Sequence, residues 1–275
     1  MTEFYKVSGS GNDFVALAEP ETDPSPETIR AWCRRGVSLG ADGVFVLRRE
    51  SGGVGMDYFN SDGYPADLCL NGTRCAAQLA FHLGWAESGV AIRTGSGEVA
   101  ARRLDAARIT LELPVPETPA ELTLEVDGIH HAGYRVRVGV PHFVLPWPES
   151  LERAPVASLG RKLRHHPAHG EAGANVNFVR YPDPKRMEIR TFERGVEAET
   201  LACGSGIVGS TAVGVYLGRL ELPVQVTVQG GFELEVGGSG ETWLLTGDAR
   251  VVARGTLLEG AEASPPPPSW KPPGS

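Results

Sequence analysis

Two cysteines stand in matching settings 134 residues apart: Cys69 opens CLNGTRCAAQLAFHLG and Cys203 opens CGSGIVGSTAVGVYLG. Each is followed three residues later by glycine (Gly72, Gly206), then by small or apolar residues and a closing Leu-Gly (Leu83-Gly84, Leu217-Gly218). The pattern reads as one thiol site at a helix start, built twice. A thiol in that position meets unpaired backbone N–H groups and the positive end of the helix dipole, which can bring its pKa from ~8.5 to roughly 3.5–7.5. It is then a usable base. The same N–H groups bind a carboxylate, and glycine lets the backbone approach it closely. Two such starts facing each other across one carboxylate put a sulfur on each face of its α-carbon. That arrangement suits removal and return of an α-proton, the racemisation or epimerisation of an amino acid.

The α-proton is weakly acidic, so without an electron sink the developing carbanion needs oriented donors, each worth roughly 3–4 kcal/mol in a site closed to water. Pyridoxal phosphate would supply a sink but needs a Schiff-base lysine. The four lysines (Lys6, Lys162, Lys185, Lys271) have no glycine-rich phosphate cradle, and no cofactor is expected. No metal is expected either, because the Cys69 and Cys75 spacing is wrong for a zinc knuckle and the His130-His131 and His165-His166 pairs have no cysteine near them. Cys33 and Cys75 read as small buried side chains. A thiol module or redox switch is the competing reading from another class.

The elements that must position the thiols are themselves duplicated. Tyr5-Lys6-Val7 and Tyr134-Arg135-Val136 open two segments that run on, in the same register, to Asp13-Phe14-Val15 and His142-Phe143-Val144. GVFVLRR (43–49) and NVNFVRY (175–181) follow, then MDYFNSDG (56–63) and MEIRTFERG (187–195). A repeat this long means two similar domains rather than a solenoid. We expect an N-terminal half over 1–116, a C-terminal half over 117–262 and a proline-rich tail over 263–275. Strand patterns (FYKV, FVALA, GVFVLRR, MDYFN, EVAARRL, RITLELP, ELTLEV, YRVRVGV and their second-half equivalents) alternate with helical periodicity over 26–36, 73–84, 158–166 and 207–218. The expected fold class is α/β (α+β): two pseudo-symmetric domains, each a curved, mainly antiparallel sheet or barrel around a central helix, with the site in the cleft between them.

Composition is that of an ordinary globular protein, 41% apolar and 22% charged. The net charge of −8 argues against a nucleic-acid or anionic-membrane partner. No apolar stretch approaches the ~18 residues of a membrane span, and MTEFYKVSG lacks a signal-peptide pattern, so a cytoplasmic protein is expected.

Taken together, SGSGNDFV (8–15), GADG (40–43), FNSDG (59–63), CLNGTRC (69–75), PHFV (141–144), NVNFV (175–179) and ERGVEAETLACGSG (193–206) resemble the diaminopimelate epimerase family, in order and over nearly the whole chain. The resemblance implies a cofactor-independent enzyme, commonly a homodimer, that converts LL-diaminopimelate to the meso form. It implies Cys203 as proton acceptor and Cys69 as donor in that direction, with His142 and Glu193 tuning the thiols. The backbone at Leu70-Asn71 and Gly204-Ser205 would clamp the reacting carboxylate. Asn12, Asn60, Asn175, Glu193 and Arg194 would hold the rest of the substrate, and chemistry favours these types, since Arg194 can clamp a carboxylate bidentately and Glu193 can pair an ammonium.

Two positions depart from the family. Leu70 stands where glycine is usual, and Val140 where an asparagine usually helps bind the distal carboxylate. Losing one hydrogen bond to a charged group costs roughly 1.5–3 kcal/mol, so the second change opens an alternative, a racemase of the same fold acting on another amino acid such as histidine.

Overall fold

The structure is a computed structural model that describes residues 2–258 and 260–261; the proline-rich stretch expected over 263–275 lies outside them. The first half is built from β1 (Thr2–Gly9), β2 (Asn12–Ala18), α1 (Pro26–Cys33), β3 (Gly43–Glu50), β4 (Gly53–Asn60), α2 (Leu70–His82), β5 (Gly89–Thr94), β6 (Gly97–Arg103) and β7 (Arg108–Pro114). The second is built from β8 (Ala120–Val126), β9 (Ile129–Val138), β10 (Val140–Pro146), α3 (Val156–Arg164), β11 (Asn175–Asp183), β12 (Arg186–Glu193), β13 (Ala198–Thr200), α4 (Gly204–Tyr216), β14 (Val224–Val228), β15 (Glu233–Ser239) and β16 (Thr242–Asp248), and the chain returns to the first half in β17 (Arg250–Leu257). Among the described residues no helix is long and apolar enough to cross a membrane.

Strand pairing makes the duplication explicit. In the first half the neighbours run β17-β1-β2-β3-β4-β5-β6-β7, with β2–β3 and β4–β5 parallel and the others antiparallel. In the second they run β8-β9-β10-β11-β12-β14-β15-β16, with parallel pairs at the equivalent places, β10–β11 and β12–β14. The antiparallel pair β7–β16 joins the halves into one sheet. By pairing, the last strand β17 completes the first half against β1, just as β8 completes the second against β9.

Each curved sheet wraps a helix. Helix α2 packs on β1, β2, β4, β5, β6, β7 and β17, and α4 on β9, β10, β11, β12 and β15. Helix α4 is apolar or small nearly all round, and α2 is buried along its length except at Gln78 and His82, as befits helices enclosed by their sheets. The strands beneath them are buried on both faces. In β2 and β3, Phe14, Ala16, Phe45 and Leu47 face the inner core, while Val15, Leu17, Val44 and Val46 face a second cluster capped by Ile29 and Trp32 of α1. Helix α3 covers the equivalent outer face, where Leu163 meets Phe143, Phe178 and Phe192. This double burial explains why VFVL and NFV read as continuous apolar runs instead of alternating.

The structure refines three sequence expectations. The helical periodicity read over 73–84 and 207–218 extends back to Leu70 and Gly204, with each cysteine as the N-cap, in line with a thiol at each helix start. Strands β5, β10 and β13 are additions to the expected set, and the expected YRVRVGV strand ends at Val138, where Gly139 (φ 66°) makes the turn from β9 to β10. The repeat also slips by one residue. Val7 pairs with Phe14 and Val136 with His142, so Phe14, not Asp13, is the counterpart of His142. The β1–β2 turn contains two residues, Ser10 and Gly11, both at positive φ, where the β9–β10 turn contains Gly139 alone.

At the seam between the halves, the buried Thr110 and Thr246 hydroxyls bond each other at 2.8 Å. Removing one leaves the other unsatisfied. Thr110→Val should destabilise the chain by about 1–3 kcal/mol in chemical denaturation, and the double change Thr110→Val with Thr246→Val should recover most of that loss. No recovery in the double variant would mean the pair does not work as a unit.

Candidate active site

The fold brings the two cysteines together by placing the starts of α2 and α4 tip to tip. Cys69 (φ −135°, ψ 101°) and Cys203 (φ −122°, ψ 108°) hold nearly the same extended N-cap conformation. The Gly72 N–H donates to Cys69 Sγ at 3.4 Å, and Cys203 Sγ lies 3.6 Å from Ser205 Oγ. The approach of the helices is close enough to require glycine: a Cβ on Gly204 would sit 2.8 Å from Leu70 Cβ, and one on Gly206 would strike Asn177 Oδ1.

A cavity of about 250 Å³ opens at this junction. Cys69, Cys203, Glu193, Asn12, Asn60, Leu70, Asn71, Asn175, Arg194, Gly204 and Ser205 all line it, as does Val140. His142 does not line it. It is wholly buried behind α4, its Nδ1 3.2 Å from Asn177 Nδ2, so it bears on the site through Asn177 and the first turn of α4.

Sequence reasoning missed the framework beneath the cavity. Asn71 Nδ2 donates to Asn12 Oδ1 (2.6 Å) and to Ala202 O (3.1 Å), tying α2 to the residue that precedes Cys203. Asn71 Oδ1 accepts from Arg74 Nη2 (2.7 Å), which also donates to Ser10 Oγ (2.8 Å). Asp248 Oδ1 in turn accepts from the Ser10 N–H and hydroxyl, holding Ser10 at φ 51°. The Asn71 amide is therefore fully engaged, and only its backbone N–H is left for a ligand. Arg74 is fully buried, and its standing as the one Arg, Lys, Asp or Glu in α2 was the available signal. Two further cavity residues, Tyr58 and Asp67, carried no sequence signal beyond their neighbourhood.

Electrostatics overturn the expectation of acidic thiols. Burial pushes the Cys69 thiol up to about 11, opposed by the Gly72 N–H and reinforced by the Glu193 charge. Cys203 is raised further by burial and then by Glu193, against the Ser205 hydroxyl and the Gly206 N–H. Here loss of hydration outweighs the helix ends, because the little surface Cys69 exposes faces the cavity and Cys203 exposes almost none. Glu193 is itself pushed up to about 7, mainly by burial and also by Asp42, although its Oε2 accepts from Thr200 Oγ1 at 2.9 Å. Burial and then the Arg194 charge hold His142 neutral, down at about 3. Arg194 is lowered by burial and by Arg164 and Arg137, while its backbone N–H donates to Asn175 Oδ1 at 2.7 Å. Cys33 and Cys75 are buried and also raised by burial, Cys33 to about 12.

Glu193 couples stability to pH. Its folded pKa of about 7 lies above the ordinary glutamate value of 4.5, so folding holds a proton that the unfolded chain releases. The penalty is absent below 4.5, grows as pH rises to about 7 and is constant above that. Glu193→Gln should therefore gain stability relative to the parent between pH 5 and pH 8, by up to ~3 kcal/mol in denaturant titrations. A difference between the two proteins that is flat with pH would show that Glu193 does not titrate there.

The family model for diaminopimelate epimerase matches residues 4–112 and 134–252. The diaminopimelate epimerase of Aquifex aeolicus is 36% identical over 274 residues, covering 94% of this chain and 98% of that protein. That of Methanothrix thermoacetophila is 38% identical over 277 residues, covering 94% and 96%. Among solved structures, a probable proline racemase from Agrobacterium radiobacter superposes with a TM-score of 0.74 at 15% identity, covering 95% of this chain and 96% of its own. A phenazine biosynthesis PhzC/PhzF protein from Clostridium difficile does so at 0.70 and 15%, covering 94% and 100%, and these two likenesses establish the fold alone. Identity above 30% along almost the full length of both sequence relatives, with the match falling on both repeats, makes this chain a member of the diaminopimelate epimerase family.

Proposed function

We propose that the chain is an isomerase that interconverts LL-2,6-diaminopimelate and meso-diaminopimelate, a step in the synthesis of lysine and peptidoglycan precursors, by passing protons between Cys203 and Cys69. The observation that carries this reading is the meeting of two cysteine-capped helix starts in one cavity. The N–H groups of Leu70, Asn71, Gly204 and Ser205 lie in the first helical turns and have no intrahelical acceptor. They hold the α-carboxylate of the reacting centre between the sulfurs. In the LL-to-meso direction the Cys203 thiolate takes the α-proton, the C–H electron pair spreads into the carboxylate, and the Cys69 thiol delivers its proton to the opposite face. In the reverse direction the two exchange roles.

The raised thiols define what the substrate must do. Glu193 is the strongest single charge holding both sulfurs protonated. A substrate ammonium paired with Glu193 cancels that charge and makes a thiolate accessible as the site fills. The carbanion is stabilised where the oriented N–H groups sit, in a cavity small enough to exclude most water. Asn12 and Asn60 line the wall on the Cys69 side, and Asn175 with Arg194 forms the end that takes the distal carboxylate. His142 stays neutral and orders Asn177 beneath the first turn of α4.

Val140 lines the cavity with Arg194 and offers that carboxylate no donor. This observation favours the second reading, a racemase of an amino acid with a single centre such as histidine. Solvent deuterium uptake at the α-carbon separates the two when both diaminopimelate isomers are run beside a panel of such amino acids. Uptake into diaminopimelate is expected, and Cys69→Ala and Cys203→Ala should each slow epimerisation by roughly 10²–10⁴-fold. Exchange into a single-centre amino acid and into neither diaminopimelate isomer would overturn the first reading. Val140→Asn should lower the KM for diaminopimelate by roughly ten-fold or more, the value of one hydrogen bond to a charged group. An unchanged KM would place the distal carboxylate elsewhere.

A further inference from the structure

No step of the reaction uses the GADG stretch (40–43), yet its aspartate is tied to the cavity wall. Asp42 Oδ2 accepts from Asn12 Nδ2 at 3.0 Å and from the Asp13 N–H at 3.1 Å, and the Asp42 N–H donates to Asp13 O at 2.8 Å. Its other oxygen, Oδ1, accepts from Arg35 Nη2 at 2.8 Å. The far side of the Asn12 amide is fixed as well. Asn71 Nδ2 donates both to Ala202 O and to Asn12 Oδ1, and because a backbone carbonyl only accepts, the Asn71 atom is a donor and the Asn12 atom facing it an acceptor. Nδ2 of Asn12 must then be the atom turned to Asp42. One hydrogen remains on it, and Asn12 lines the cavity. The second half lacks both members of this pair: matching Phe14↔Gly43 with His142↔Asn175 makes Val140 the counterpart of Asn12 and Ala174 that of Asp42. Where the amide is absent, its anchor is absent too.

We propose that Asp42 holds the Asn12 amide so that its remaining N–H donates to a carboxylate of the substrate. Asn12 Oδ1 is already engaged by Asn71, so the side chain presents a donor, which suits a carboxylate and not an ammonium. Asp42 does not line the cavity around the thiols and therefore acts through Asn12, as a positioning residue of the reaction. Its charge is answered by Arg35, and that of the neighbouring Asp13 by Lys6 and Arg35, so the anchor adds no unpaired carboxylate beside the site. The links Arg35, Asp42, Asn12, Asn71 and Arg74 run unbroken from an exposed arginine to a wholly buried one, and each fixes the orientation of the next. This inference rests on the two-thiol reading and extends it by naming what sets the polarity of one substrate-binding amide.

The test is a mutant cycle read in LL-diaminopimelate epimerisation, with Tm measured on every variant. Asp42→Ala should raise KM about ten-fold, the worth of one hydrogen bond to a charged group, with a smaller change in kcat. Asp42→Asn keeps an acceptor oxygen of the same reach and should stay within about three-fold of the parent. Adding Asp42→Ala to Asn12→Ala should cost nothing further. An unchanged KM in Asp42→Ala, or the same loss with and without Asn12, would overturn the proposal. Should Asp42→Ala fail to fold, the isosteric Asp42→Asn decides: a loss as large as that of Asn12→Ala counts against it. A substrate-free reading separates this outcome from absence of diaminopimelate turnover. The Asn12 side-chain amide pair in ¹⁵N–¹H spectra, identified by its disappearance in Asn12→Ala, should move in Asp42→Asn, and a pair that stays in place would show that Asp42 does not hold it.

Discussion

Helix N-termini carry partial positive charge and unsatisfied N–H groups, so two of them pressed together repel unless something answers that charge. Here the contact is made at Leu70 and Gly204 and bridged by the Asn71 amide, which reaches from one helix start to the carbonyl of Ala202 before the other. Everything else at the site follows from that junction. The buried Arg74 orients Asn71, Ser10 and Asp248 hold Arg74, and the seam of β7 and β16 keeps the two halves at the distance the junction demands. On the proposed mechanism a substrate carboxylate supplies the anion this junction lacks, which gives binding and carbanion stabilisation the same physical origin.

The thiols show how two electrostatic effects compete and which prevails. A helix start favours a thiolate, yet both sulfurs are raised, because removing a thiolate from water costs more than a few N–H groups return. Glu193 adds to the cost and is itself raised to about 7. Protonated cysteines in the unliganded site and a reactive thiolate in the filled one are therefore compatible. On the proposed two-thiol mechanism the switch between them is charge neutralisation by the substrate, not a permanently ionised nucleophile.

Duplication supplies two equivalent frameworks, and point differences make them unequal. The strand order, the parallel pairs, the 13-residue central helices and the Leu-Gly ends repeat faithfully. Tyr58 and Thr191, Phe14 and His142, Gly43 and Asn175 stand at matched positions and differ in chemistry. Reaction at one carbon from two faces needs the shared framework, while recognition of a substrate with two distinct ends needs the differences.

The chain order of the motifs determined, without coordinates, that there are two similar halves and that Cys69 and Cys203 open matching helices. Those properties are local or periodic, and linear order carries them. Tertiary structure alone decided the rest. His142 lies behind the cavity wall because the one-residue difference between the Ser10-Gly11 and Gly139 turns sets its register, and a single slip turns a strand residue to the other face. Arg74, Ser10 and Asp248 meet across 238 residues of chain, a contact that no local pattern encodes. The thiols' resistance to ionisation was equally hidden, because desolvation depends on how completely the two halves close around the sulfur, and that is a property of the packed molecule rather than of any segment.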